Sequence, residues 1–379
     1  MKHIFSIASL ALLLVLVVIG CKPTPERQWL SVAAGGFHSL ALKADGTVWS
    51  WGNNDSGELG NGTNEDSNTP IMVNGLIGII AIDGGLSHSL ALKNDGTVWA
   101  WGHNELGQLG DETYENRNSP VQVSNLNTII AIAAGLGHSL ALSKDGTVWA
   151  WGNNFSGQLG NLTNNFSNTP VKVFDLDSVI AIAAGYLHSL ALSEDGTVWA
   201  WGDNYLGQLG NQSTDSSSLP VMVLNLNNVK RISADGGFSL CLKNDGTIWA
   251  WGDNQSGQLG NGVNENSSMP VKVSSIMKFI AINAGSQHCI AIGDDRTVWT
   301  WGQNEDCQLG DGTIESRNTP VKIIDLMGIA NIAGGSWHSL ALANNGVVWA
   351  WGNNNYGQLG DGTNITQNRP VQALLPIVE

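Results

Sequence analysis

The chain has 379 residues and a formal charge of −15, from 17 basic and 32 acidic side chains, with charged residues only 13% of the total. A net field of that sign repels nucleic-acid phosphates and anionic lipid, so recognition of either through overall charge is excluded. The abundance of Gly (47 residues), Asn and Ser suits short strands and tight turns rather than long helices.

The first element is an apolar run, 4–19, preceded by Lys2 and His3 and followed by Gly20, Cys21 and a polar stretch to Arg27. It resembles a bacterial lipoprotein leader, with Val18-Ile19-Gly20-Cys21 standing as the lipobox. The resemblance implies a signal peptide over 1–20, a lipidated Cys21 opening a tether over 21–28, and a domain over 29–379. That domain would lie outside the cytoplasm, held by lipid in the bacterial cell envelope at the outer membrane or cell surface. An uncleaved transmembrane anchor is the alternative, and the apolar run is marginally short for one. Loss of Lys2 with the leader makes the mature charge −16.

From residue 30 onward a unit of fifty residues runs seven times without slipping. Trp51 to Trp351, Gly60 to Gly360 and Pro70 to Pro370 each recur at that spacing. Such a period means a solenoid, a propeller or an array. In the unit 79–128, residues 79–82 form a short apolar strand ended by Gly84-Gly85. A second strand runs over 88–93, an Asn94-Asp95-Gly96 hairpin turn follows, and a third strand spans 97–102. A long polar loop then leads to a fourth strand at Pro120–Val123, where a first-position proline needs no N–H partner. Four strands per repeat is a blade pattern. Alternation gives each blade a bulky face, with His88, Leu90, Leu92, Trp99 and Trp101, and a face of small residues that receives the next blade. An open solenoid needs atypical capping repeats, and the first and last repeats here are as regular as the rest. The expected fold is all-β: a closed seven-bladed β-propeller of four-stranded antiparallel blades, with Trp49, Trp51 and their equivalents in the core.

The run Ala133-Ala134-Gly135-x-x-His138-Ser139-Leu140-Ala141-Leu142, then Asp145-Gly146, Val148-Trp149-Ala150-Trp151-Gly152 and Gly157-Gln158-Leu159-Gly160, resembles the repeat of the regulator of chromosome condensation family. The resemblance covers all seven repeats. It implies a seven-bladed propeller, often closed by strands from the two termini sharing one blade; here these would be near Leu30–Ala34 and Val371–Leu375.

Chemistry is sparse. His38, His88, His138, His188, His288 and His338 recur in one column, with Phe238 in the fifth repeat. No carboxylate recurs beside them to orient a metal ligand, so they read as structural, each ring N–H satisfied by backbone. Cys241, Cys289 and Cys307 replace a recurring Ala, Ser and Gly and form no metal or redox spacing. No catalytic residues, metal or cofactor are expected. What varies between repeats is the end carrying the 36–37 turns and the long loops. Phe37, Tyr186 and Trp337 stand in the turns; Tyr114, Phe155, Phe166, Tyr205 and Tyr356 stand in the loops. Those loops hold 17 acidic residues against three basic ones, Arg117, Arg317 and Arg369. Varied aromatics on a rigid frame suit partner binding, so Phe37, Tyr114, Phe155, Tyr186, Tyr205, Trp337 and Tyr356 are the expected contact residues. The expected function is a monomeric, non-catalytic module that binds a protein partner and neither nucleic acid nor, beyond its lipid anchor, membrane. An inhibitor of a secreted or envelope enzyme, like the type II beta-lactamase inhibitory protein that resembles this family, is the alternative. Guanine-nucleotide exchange, the family's eukaryotic role, is a weaker one.

Overall fold

The computed structural model of the protein describes residues 28–376. The expected leader, Cys21 and tether residues 21–27 lie outside the described residues. Blade 1 consists of β1 (Trp29–Ala34), β2 (His38–Lys43), β3 (Val48–Gly52) and β4 (Ser67–Met72), paired antiparallel in that order. Six further four-stranded sheets follow in sequence, the last over 329–372. The first strands of successive blades touch one another all the way round, including β1 against Ile329–Gly334, so these are the inner strands and the ring is closed.

Closure differs from what the family resemblance implied. β1 pairs with β2, and the last strand, Gln367–Gln372, pairs with Val348–Gly352, so no blade is shared by the two termini. The seam between blades 7 and 1 is instead built like the others. Gly362 N donates to Asn68 O at 2.9 Å, just as Gly62 N donates to Asn118 O at 2.7 Å. A repeat that packs on itself head to tail needs no special closing device once the rotation per blade completes the circle.

Each seam has its own apolar cluster. Between blades 1 and 2, Leu40, Leu42, Val48, Val73 and Leu76 meet Ile79, Ala91 and Trp101. The faces are not bulky against small. Ser39 lies opposite Trp51 and Ala41 opposite Trp49, while Leu40 lies opposite Ser50. Residues facing each other in an antiparallel pair share a side of the sheet, so each side mixes large and small residues. Ser39 and Ala41 leave room for the indoles beside them.

Three polar bonds recur at the seams. Trp101 Nε1 donates to Glu58 O at 2.7 Å, and Ser89 Oγ donates to the same carbonyl at 3.0 Å. His38 Nε2 lies 2.9 Å from Ser89 Oγ. Because the serine proton is committed to the carbonyl, the imidazole is the donor, which fixes the Nε2–H tautomer. The histidine N–H is therefore satisfied by a serine hydroxyl of the next blade, not by backbone as expected. Nδ1 has no partner and sits against Gly35, where an added Cβ would lie 2.2 Å from the ring. Burial holds His38 down to about 4 and His138 to about 3, so the belt is neutral at ordinary pH.

The fourth strands start earlier than expected. In blade 2 the strand is Arg117–Gln122, and Pro120 lies inside it. The register jumps from Ala100↔Val121 to Gly102↔Arg117, so the proline occupies a bulge of the outer edge strand where no ladder N–H is required. The Trp51 column is fully buried as expected. The Trp49 column is not: all seven of its indoles are half-buried, because residue 49 stands next to the hairpin end, where the seam opens to solvent.

Candidate functional site

The 35–37 turns and the long loops share one end of the ring; the Asp-Gly hairpins and the blade-to-blade connectors share the other. Each long loop is held from inside by a buried asparagine. Asn54 Nδ2 donates to Thr63 O and Glu65 O at 3.0 and 2.9 Å, and its Oδ1 accepts from Leu59 N at 2.9 Å. Gly60 then passes flat under Trp101: a Cβ there would lie 2.8 Å from the indole nitrogen, and its φ of +64° is in the left-handed region that favours glycine. The loops are thus rigid platforms whose outward residues are free to vary.

Three of the expected contact residues come together. Phe37 stacks on Trp337 with centroids 4.5 Å apart and planes 18° off parallel, and Tyr356 meets Phe37 edge-on at 5.1 Å. The trio bridges the seam between blades 7 and 1, and each ring is half-buried. Phe155 stands apart in the blade 3 loop with Phe166, at 4.4 Å. Tyr205 is 82% exposed and Tyr114 51%.

Like Trp337, Tyr186 is not solvent-exposed as expected. It is half-buried, and its hydroxyl lies 3.1 Å from Ser336 Oγ, which reaches it from blade 7 across the mouth of the ring. Burial, with Asp235 nearby, pushes the phenol up to about 12. Tyr186 therefore spans the central opening rather than projecting from it.

Three acidic residues escaped the sequence reading. Asp83 accepts from Gly84 N at 3.0 Å and Ala134 N at 2.9 Å, bridging the inner strands of blades 2 and 3. Asp235 accepts from Gly236 N at 2.6 Å beside Tyr186. Glu58 is buried beneath its loop and accepts from Ser56 N at 2.9 Å. Burial raises Asp83 to about 6 and Asp235 and Glu58 to about 7. The signal was a break in the repeat: Glu58 stands where the other six repeats carry Gln, and Asp235 where they carry Gly. Arg117 and Arg317 are tied to Asp111 and Asp311 of their own loops at 2.9 Å, so they offer little charge to a partner.

The RCC1-like domain model matches residues 119–378, and models of the regulator of chromosome condensation (RCC1) repeat match 45–92 and 95–142 and, in a second form, 29–58 and 79–108. The chain belongs to the RCC1 repeat family. Among solved structures, yeast RCC1 (Prp20) bound to Kap60 superposes with a TM-score of 0.78 at 24% identity, over 87% of this chain and 84% of that one. Prp20p of Saccharomyces cerevisiae, described with its binding to Gsp1p and histones, gives 0.75 at 28%, over 84% and 83%. Human WBSCR16 gives 0.76 at 24%, over 84% and 87%. Curated relatives match only locally. The human E3 ubiquitin-protein ligase HERC2 is 42% identical over 52 residues, 14% of this chain and 1% of the ligase. The yeast guanine nucleotide exchange factor SRM1 is 51% identical over 41 residues, 11% of this chain and 8% of the factor. The RCC1-like propeller is the fold of a protein-binding or regulatory module.

Proposed function

We propose that the protein is a non-catalytic, extracytoplasmic binding module, tethered by lipid on Cys21, that captures a protein partner on its long-loop end. The Phe37–Trp337–Tyr356 cluster carries this reading. Rigid aromatics that are already packed lose little freedom on binding and serve as anchors. They stand in a field of 17 acidic residues against three basic ones, so the complementary partner presents an apolar centre within a basic rim. Two of the solved relatives are described with protein partners, which supports a protein as the class of ligand. The alternative, an inhibitor of a secreted or envelope enzyme, uses the same surface. The exchange-factor reading rests on a short local match, and a lipoprotein leader speaks against it.

The test is crosslinked capture from the cell envelope with the full chain and with Trp337→Ala/Phe37→Ala. Loss of a central anchor pair lowers affinity about 30-fold or more, the range of interface hot spots, with melting temperature checked in parallel. Undiminished capture by a folded double variant overturns the assignment of this surface. A captured enzyme whose turnover falls at one-to-one stoichiometry selects the inhibitor reading.

A further inference from the structure

The net charge of the chain hides a division between its two ends. Of the 14 Lys and Arg after residue 28, only Arg117, Arg317 and Arg369 stand on the long-loop half; the other eleven stand on the hairpin half, with eleven acidic residues. The hairpin half is therefore neutral while the long loops are strongly negative. Several Lys are paired locally, as Lys43 is with Asp45 at 2.9 Å and Lys93 with Asp95 at 3.2 Å.

Exposed apolar tips stand at both ends: Ile314 and Ile365 sit among the acidic long loops, whereas Ile77 (71% exposed), Ile276 (100%), Ile324 (67%) and Met327 (70%) sit on the neutral hairpin half. The seven half-buried indoles of the Trp49 column circle it, and Lys243 Nζ lies 5.3 Å over the Trp249 ring. Half-buried tryptophan, lysine and isolated aliphatic tips are what a protein presents at a lipid headgroup layer. The chain also enters the ring there, since Ala44 N in the blade 1 hairpin donates to Gln28 O at 2.9 Å.

We infer that the hairpin end is a membrane-facing surface, seated at the headgroup level of a bilayer, with the long-loop end turned away. This rests on the lipid-anchor reading of Cys21. Eight residues, 21–28, span at most about 29 Å when fully extended. Six-residue strands make the ring about 20 Å tall before loops are added. The inverted pose would stretch the tether up the whole side of the ring and press the acidic loops against anionic lipid. The upright pose leaves the tether slack. The carboxylates at the hairpin tips, such as Asp45 and Asp95, are held well ionised by their Thr47 and Thr97 bonds, so the surface rests among headgroups and does not enter the hydrocarbon.

The experiment uses the full-length chain reconstituted into vesicles of phosphatidylethanolamine and phosphatidylglycerol containing a headgroup nitroxide lipid. A bimane fluorophore is placed on Ile276→Cys or on Tyr205→Cys; the native Cys241, Cys289 and Cys307 are buried. Several-fold stronger quenching at 276 than at 205 is expected. Replacing Ile77, Ile324 and Met327 with Asp should bring the 276 signal down toward that at 205 while the protein stays anchored. Mass analysis of the Cys21 peptide separates the two ideas. A chain with lipid on Cys21 and equal or reversed quenching overturns the orientation alone, and a chain without lipid overturns both.

Discussion

Six of the seven seams are tied by a histidine of one blade bonded to a serine of the next, whereas the seam between blades 5 and 6 pairs Phe238 with Cys289. Both positions change at the same seam. Without the imidazole there is no N–H to satisfy, and the remaining thiol still reaches Gln258 O at 3.3 Å. A third position changes with them. Gly35 and its equivalents lie under the imidazole, where a Cβ would collide; in blade 5 the position is Asp235, and the inner strand continues to pair Asp235 with Phe238. One absent imidazole thus accounts for a cysteine at the seam and leaves room for a carboxylate at the mouth of the ring. The belt is a local solution repeated six times, and a consistent apolar solution replaces it once.

The largest test of this comparison removes what both kinds of seam share. Trp151 and Trp301 each donate to the preceding blade's carbonyl, at 2.8 and 2.9 Å. Changing either to Ala should cost about 3–5 kcal/mol in urea unfolding, the range for a buried large aromatic. A much smaller cost at Trp301 would mean that the odd seam is loosened beyond its polar pair. Next comes the pair itself. His138→Phe leaves Ser189 with a lone pair unmet in a dry seam and should cost about 1–2 kcal/mol. Adding Ser189→Cys should recover part of that loss, a coupling of about 1 kcal/mol in a double-mutant cycle. Strictly additive effects would break the claim that the two positions act together.

The effect that is smallest per residue is read against pH. Each buried histidine binds its proton in the unfolded chain near pH 6.5 but in the fold only near 3 to 4. Its contribution is therefore intact above 6.5 and is lost as pH falls, by about 0.7 kcal/mol per histidine between pH 7 and 6. Glu58, Asp83 and Asp235 have raised values and act in the opposite direction: their contribution is present at low pH and is lost as pH rises through about 6 to 7. Six histidines outweigh three carboxylates, so the melting temperature should fall on acidification from pH 7 to 5. His138→Phe should flatten that slope by about one proton, and an unchanged slope would show that the imidazole already exchanges protons in the fold.

The repeat made the propeller readable because the strand alternation is stated seven times and the hairpin aspartate and glycine six times each, with Asn345 and Arg296 as the exceptions. Register was harder. Alternation along Ser39-Leu40-Ala41 says which residues share a side within one strand, but only the pairing of Ser39 with Trp51 says which side of the next strand joins them. The proline column was misplaced for a related reason: the bulge that houses it is a property of two strands. At the candidate site, Phe37, Trp337 and Tyr356 were legible as varied aromatics on one end. Their meeting was not, because Phe37 stands some 300 residues from the other two along the chain and reaches them only through ring closure. Tyr186 was misread because a turn residue at the rim of a narrow ring has the opposite blade within reach.

That the closing seam is an ordinary seam makes the ring indifferent to where the chain begins. Leu375, at the end of the last blade, shares a cluster with Trp29, at the start of the first. The two ends of the described chain therefore meet where every other blade is simply continued by a short connector. Joining them and cutting at any connector, such as 74–78, should give a circular permutant with the same ring. A closure by strand exchange between the termini would make one blade unlike the rest, whereas an ordinary seam lets whole blades be gained by duplication without a specialised last one having to be reinvented.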